Sequence, residues 1–348
     1  MKPLNFAIIG GGNIGRVHMD AISHIPDARV SVVCDVSQER GCALAAACDA
    51  CWVANYEETV QRPDVDVVSI CTPSGTHAEV AIAAARAGKH IVVEKPIDVT
   101  LSRVDQIIAA AAEAGVKLAC IFPLRFMKGT HYAKEAVAAG RLGRLTLVDA
   151  YIKWHRPQSY YTGSWRGTWA LDGGGALMNQ GIHSIDLLQW FGGPISTIYG
   201  HTATLAHEME TEDTAAAVLS FRNGAIGVIE AATSSWPGDE ARVELHGDQG
   251  TIALEQGRIV RWKLADAQPG EEEQMLSLEG YLGSGAQDPM GISYELHRRQ
   301  LQDMVAAIRE NRAPAVDGAE GRKAVEIIRA IYWSARTGQT AHLPLVES

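Results

Sequence analysis

Three short stretches of this chain carry residues that could do chemistry. The first is Glu94-Lys95-Pro96, which places a lysine directly after the apolar run His90-Ile91-Val92-Val93. An ammonium held beside a reacting carbon stabilises negative charge on a substrate oxygen, and burial lowers its pKa so that it can exchange a proton. The second is Asn179-Gln180-Gly181-Ile182-His183, where a glycine-rich loop enters a helix. A spacing of four puts Asn179 and His183 on one helical face, and an unperturbed histidine titrates near neutral pH. Lys95, His183 and Asn179 are therefore the candidate catalytic residues.

The third stretch points to the co-reactant. Gly10-Gly11-Gly12-Asn13-Ile14-Gly15 follows the apolar run Leu4 to Ile9 and precedes a helical run over 16–22. Glycines at 10, 12 and 15 match G-x-G-x-x-G. The first permits a tight turn, the second lets backbone approach a pyrophosphate, and the third lets helix and strand pack closely. The helix N-terminus then supplies N–H groups and a positive dipole end. A second strand over 30–34 ends at Asp35, where the fingerprint expects an acid for the ribose hydroxyls. That carboxylate repels the extra phosphate of NADP, so NAD is expected. Arg40 is a phosphate partner in the NADP alternative. The cofactor set is Gly10, Gly12, Asn13, Ile14, Gly15 and Asp35, joined by Thr72, Pro73, His77, Glu94 and Lys95 around later strand ends.

The elements that must position these residues alternate regularly. Strands are expected over 65–71, 90–93 and 116–122, with helices over 77–87 and 101–114; Thr76 is the expected cap of the first of these. This βαβ rhythm implies a doubly wound parallel sheet, whose ligands bind at the carboxyl ends of the strands. After Pro123 the rhythm changes. A helix is expected over 130–139, then strands over 145–153, 215–221, 225–230, 242–245, 251–255 and 259–263. Arg222-Asn223-Gly224 marks a hairpin. The fold class is therefore α/β: a Rossmann domain over 1–122, then an α/β domain over 123–348 whose open sheet is largely antiparallel. Residues 267–289 read as a loop or flap, and closing helices fall within 293–336.

Composition narrows the function classes. The chain has 348 residues, 47% of them apolar, a length that suits two domains. The net charge of −10 comes without a basic run, which argues against nucleic acid as a partner. No apolar stretch is long enough to cross a membrane, and no charged leader precedes the first strand, so a cytoplasmic protein is expected. Six cysteines all fall within the first 120 residues. Cys48 and Cys51 form C-x-x-C without a second pair to complete a zinc site. Reduced thiols are expected, and His18, His77 and His131 are given no metal role.

In combination these motifs resemble the Gfo/Idh/MocA oxidoreductases. The resemblance rests on Ala7 to Gly15, Thr72-Pro73 with His77, Gly88-Lys89-His90, Glu94-Lys95-Pro96 and Gly173 to His183, and it extends to Tyr332-Trp333-Ser334-Ala335. It implies hydride transfer between a nicotinamide and a secondary alcohol or ketone of a sugar, cyclitol or sugar acid. It also implies dimers or tetramers formed through the C-terminal sheet. The family's usual catalytic set is the E-K-P lysine with Asp-x-x-x-His. Lys95 and His183 match, but the acid position here is Asn179. An amide can hydrogen-bond a hydroxyl but cannot take its proton. Proton transfer then falls on His183 or Lys95, with Asp172 and Asp186 as acids that could orient the histidine. The resemblance places Trp165 and Arg166 against the cofactor and Arg156 and Tyr160 nearer the substrate. Arg125 and His297 complete the substrate candidates. The rival functions are an NAD-dependent glycosidase working by transient oxidation and a non-catalytic sugar sensor that binds NAD. A biliverdin-reductase-like enzyme fits the stretch 173–183 less well.

Overall fold

The computed structural model describes residues 2–278 and 293–346. It divides into two compact units, Met1–Pro123 with Ile292–Arg322, and Leu124–Gly291 with Lys323–Ser348.

The first unit is built on β1 (Leu4–Ile9), α1 (Asn13–Ser23), β2 (Ala28–Cys34), α2 (Gln38–Ala47), β3 (Cys51–Val53), α3 (Tyr56–Gln61), β4 (Val67–Ile70), α4 (His77–Arg86), β5 (His90–Val93), α5 (Leu101–Glu113) and β6 (Leu118–Cys120). Its sheet runs in the order β3-β2-β1-β4-β5-β6, with every pairing parallel. β1 is buried along its whole length, as a strand with parallel neighbours on both sides must be. Its one polar residue, Asn5, is satisfied by Asp64 O, Asp66 and Arg29. The order reverses between β1 and β4, and the turns after β1, β4 and β5 leave neighbouring strands at the same sheet edge.

The second unit contains α6 (Lys128–Ala138), β7 (Leu145–Lys153), α7 (Ile182–Gly192), β8 (Ile195–Ala203), β9 (Thr214–Phe221), β10 (Ile226–Ala232), β11 (Arg242–Gly247), β12 (Gly250–Glu255), β13 (Arg258–Leu264) and α8 (Glu271–Leu276). Beyond it come α9 (Glu295–Arg309), α10 (Gly318–Thr337) and β14 (Ala341–His342). The eight-stranded sheet has the order β13-β12-β11-β7-β10-β9-β8-β14. Only β7 and β10 pair in parallel. Buried residues of α7 pack on β7 and β11, and Ser334 of α10 accepts the Gly200 N–H of β8.

Several expectations change. Helix α9 packs with the first unit rather than with the residues after 123: Leu301, Met304 and Val305 share one core with Met19 and Ile22 of α1. Thr76 does not cap α4. Its hydroxyl bonds Thr72 and Pro73 O, and Asp98 accepts the Ala78 N–H in its place. Part of the stretch read as a flap is the helix α8, pinned by Arg141 and Trp262 to Glu271; the remainder, 279–289, lies outside the described residues. Cys48 and Cys51 are both free. Among the described residues no helix is long and apolar enough to cross a membrane.

Candidate active site

The glycine turn has the shape of a cradle. Gly10 has φ +104°, and a Cβ there would lie 2.5 Å from Cys71 O. A Cβ on Gly15 would lie 2.1 Å from Gly10 O, so turn and helix can close only with glycine at both places. At Gly12, which caps α1 without a side-chain bond, a Cβ would meet open space. A helix N-terminus flanked by open space suits a pyrophosphate. Asp35 is buried at the end of β2 and accepts the N–H groups of Gly11 (2.8 Å) and Ser37 (2.7 Å). Arg40 donates to both its oxygens, at 2.9 and 3.3 Å. Burial alone would raise the Asp35 carboxyl, but these hydrogen bonds outweigh it and hold the pKa below the ordinary value. The acid is thus ionised and fixed, as a ribose-hydroxyl acceptor must be. Arg40, the residue of the NADP alternative, is engaged by that same carboxylate.

The turn after β5 is built with equal care. Lys95 is half-buried between neighbours that are buried on both sides. Its N–H donates to Glu94 Oε2 at 3.1 Å. Glu94 Oε1 accepts from His18 Nε2 at 2.9 Å, and His297 Nε2 lies 3.7 Å away. His77 is buried, with Nδ1 2.9 Å from Pro96 O and Nε2 3.0 Å from Thr72 O. Burial lowers its pKa despite these two carbonyls. His77 therefore ties the turn after β4 to the turn after β5.

In the second unit a π-helical turn, Ala176–Gly181, leads into α7. It carries the half-buried Asn179 to the start of the helix that holds His183. Asn179 Nδ2 donates to Asp172 Oδ1 at 2.7 Å, and Gly167 N donates to Asp172 Oδ2 at 2.8 Å. A carboxylate can only accept, so this contact also fixes which end of the amide is which. The turn rests on Glu212, which accepts Gly175 N, Leu177 N and the Tyr332 hydroxyl at 2.9–3.0 Å. Burial pushes Glu212 up to about 7 against the pull of those donors. Gly175 has no substitute, since a Cβ would lie 1.8 Å from Glu212 O. Beside the turn, the Tyr160 ring takes the Arg166 guanidinium at 4.6 Å and that of Arg156 at 5.4 Å. Its hydroxyl accepts from Gln180, next to Asn179, at 3.4 Å. Trp165 lies under Arg166 at 5.3 Å.

Comparison with known proteins decides the family. Residues 4–122 match the model described as an oxidoreductase family with an NAD-binding Rossmann fold, and residues 130–253 match the GFO/IDH/MocA C-terminal domain. The chain belongs to the GFO/IDH/MocA oxidoreductase family. It is similar in structure to the WlbA dehydrogenase from Bordetella pertussis in complex with NADH and UDP-GlcNAcA. That match has 33% identity, covers 99% of each chain and has a TM-score of 0.89. It is 28% identical to the myo-inositol 2-dehydrogenase of Thermotoga maritima, over 92% of this chain and 93% of that one. It is also 28% identical to the 1,5-anhydro-D-fructose reductase of Ensifer adhaerens, over 97% and 98%. The protein is an NAD-binding oxidoreductase of this family.

Within this GFO/IDH/MocA chain, the candidate residues fall into groups. Gly10, Gly12, Asn13, Ile14, Gly15, Asp35, Thr72, Pro73, His77, Glu94 and Lys95 all lie on turns or helix starts that follow β1, β2, β4 and β5. Asn179, His183, Arg156, Tyr160, Trp165 and Arg166 belong to the second unit. Two further substrate candidates are buried against carboxylates. Arg125 is buried in a two-pronged pair with Asp186, at 2.6 and 2.7 Å, and lies 5.0 Å from the Trp190 ring. That pair engages both oxygens of Asp186, and Asp172 accepts from Asn179 and Gly167. His297 is buried on α9 in the first unit, against Glu94. The sequence pattern assigns no supporting role to His18, Glu212 or Gln180. His18 lies 76 residues from the glutamate it meets, a separation that no spacing rule reaches. Glu212 had one faint signal: an acidic pair, Glu212-Asp213, just ahead of a strand pattern, now seen to be buried with Thr211.

Proposed function

We propose that this protein oxidises or reduces a secondary alcohol or ketone of a sugar, cyclitol or sugar acid, with NAD as the hydride partner. Lys95 carries the proposal: it is the half-buried cation on a turn whose flanks are buried and bonded, at the sheet edge shared by the glycine cradle. Bound NAD supplies or accepts the hydride. Lys95 binds the reacting oxygen and stabilises the charge that develops there. His183 takes or returns the hydroxyl proton, and Asn179, held by Asp172, positions that hydroxyl through its amide oxygen. Arg156 and Arg166, stacked on Tyr160, suit a substrate with a carboxylate or phosphate group, because guanidinium forks bind planar oxyanions in pairs. The complex of the Bordetella pertussis relative with UDP-GlcNAcA supports an acidic sugar, while the inositol and anhydrosugar relatives keep neutral polyols open as substrates.

The outer face of the large sheet exposes Leu147, Tyr199, Val218 and Ile226, and we propose that it joins protomers into a dimer or tetramer. A panel of inositols, aldoses, uronates, anhydrosugars and nucleotide-linked uronates, followed by NADH absorbance, tests the function. Lys95→Ala should lower kcat by about a hundredfold or more while NAD binding holds within about twofold; retained turnover would remove Lys95 from the reaction. Hydrolysis of an aryl glycoside without net NADH would turn the reading toward a glycosidase. NAD binding without turnover on any panel member would turn it toward a sensor.

A further inference from the structure

Glu94 is a nearly fully buried carboxylate, 5% exposed. A buried carboxylate is costly unless its oxygens are bonded. Oε2 takes the Lys95 N–H, and Oε1 faces His18 of α1 and His297 of α9. The histidine and carboxylate ligand atoms of these three groups all lie within 4.8 Å of one another, close enough for a metal ion. Hydrogen bonding already accounts for the tighter contacts. A carboxylate only accepts, so His18 Nε2 carries the proton it gives to Glu94. Its Nδ1 then accepts from the Ser69 hydroxyl at 2.6 Å. On the far side of Lys95, the Pro96 carbonyl meets His77. The lysine thus sits between two residues whose polar atoms are claimed by buried histidines from three helices.

We infer that His18, His297 and His77 are positioning residues that fix the backbone of Glu94-Lys95-Pro96 and thereby aim the lysine. Burial would raise Glu94, but His18 and His297 hold it well below the usual carboxylate range, so it stays ionised and keeps its grip on the Lys95 amide. Burial lowers His18, consistent with a neutral ring. Among the described residues Cys71, whose thiol burial keeps protonated, and His77 also face Glu94. The inference rests on the assignment of Lys95 to the reacting oxygen. It makes the helix that returns from the end of the chain a determinant of turnover rather than packing alone. His297 is the informative member, since it lies furthest from the glycine turn in sequence and its ring stands 5.4 Å from that of His18.

The test compares His297→Leu, which keeps the bulk and removes the polar ring beside Glu94, with His297→Gln, which restores a polar group there. Three quantities are read: hydrogen exchange of the peptide covering 90–99, kcat across pH 5–9, and the Kd of NAD. In His297→Leu, exchange should quicken by about tenfold and kcat should fall by about tenfold, as a displaced reacting group predicts. The acid limb of kcat should move to higher pH, because Glu94 loses a partner that favours its charge. NAD affinity should hold within about twofold, and His297→Gln should recover most of kcat. Unchanged exchange in His297→Leu overturns the inference, as does an equal loss of kcat in both variants. One equivalent of zinc in the protein as isolated, lost in His297→Leu, would replace the hydrogen-bonded cluster with a metal site. Lys95→Ala decides the underlying reading separately: if it stays active, Lys95 is not the reacting group, and hydrogen exchange still decides whether the histidines hold the turn.

Discussion

Exchanging Asn179 for aspartate would set one carboxylate against another. Asn179 Nδ2 lies 2.7 Å from Asp172 Oδ1, and Asp172 is 1% exposed. At that separation two full charges repel by about 6 kcal/mol in an effective dielectric of about 20. Position 179 is half-buried and partly screened, so about half of this should reach the titration, roughly 2 pK units. The pair then titrates as a unit, with its second ionisation moved from the ordinary ~4 to about 6 or above. Below that pH one proton is shared, the short contact survives, and the variant should turn over near the native rate. Above it both groups are charged, the side chain at 179 swings away, and kcat/KM should fall by about tenfold. The sign for stability agrees. A carboxyl whose folded pKa is raised binds more protons folded than unfolded, so the variant loses stability as pH rises through that window. The assay is kcat/KM from pH 5 to 9 for the native protein, Asn179→Asp and Asn179→Ala. Asn179→Ala should be slower at all pH without a new limb. Superimposable profiles for Asn179→Asp and the native protein would refute the contact with Asp172 and the role it gives the amide.

Further outcomes follow from the same structure. Asp35→Ala removes the acceptor for the N–H groups of Gly11 and Ser37, and isothermal calorimetry should show NAD binding weakened by about tenfold or more. The same variant frees Arg40 from its partner, so the NAD preference over NADP should narrow by about tenfold. Burial raises the Glu212 carboxyl from the ordinary 4.5 to about 7, so it costs stability as pH climbs between those values, by up to about 3 kcal/mol. Glu212→Gln should therefore flatten the fall of Tm from pH 5 to 8. Its absolute Tm should be lower, since the Gly175 N–H would face an amide nitrogen in place of an oxygen.

The parts of the fold that the sequence made readable are those where one local rule governs. β1, β2, β4 and β5 are short apolar runs closed by glycine or a turn, and burial between parallel neighbours is what such runs require. The hairpin at Arg222-Asn223-Gly224 joins β9 to β10 in the expected antiparallel sense. Other elements went unseen because their stabilisation comes from elsewhere. β3 is three residues long at a sheet edge. β8 carries Gly200 and His201 within its span and is held by its neighbours β9 and β14. Thr76 looked like a cap, but Asp98 reaches Ala78 from another turn. Much of the candidate site was readable, since glycines, Asp35 and Lys95 follow strand ends. Its support was not: His18, His297 and Glu212 act across long stretches of chain, where spacing carries no signal.

The return of α9 to the first unit has a consequence for how the protein comes into being. Gln300 on that helix bonds both Cys120 O and Phe122 N, and Leu301, Met304 and Val305 cover Met19 and Ile22. A ribosome making this chain from its N-terminus completes the six strands of the cofactor unit early. It must then synthesise nearly all of the second unit before α9 is available. Throughout that interval the nascent cofactor unit lacks the helix that covers Met19 and Ile22 of α1, so its assembly is completed late.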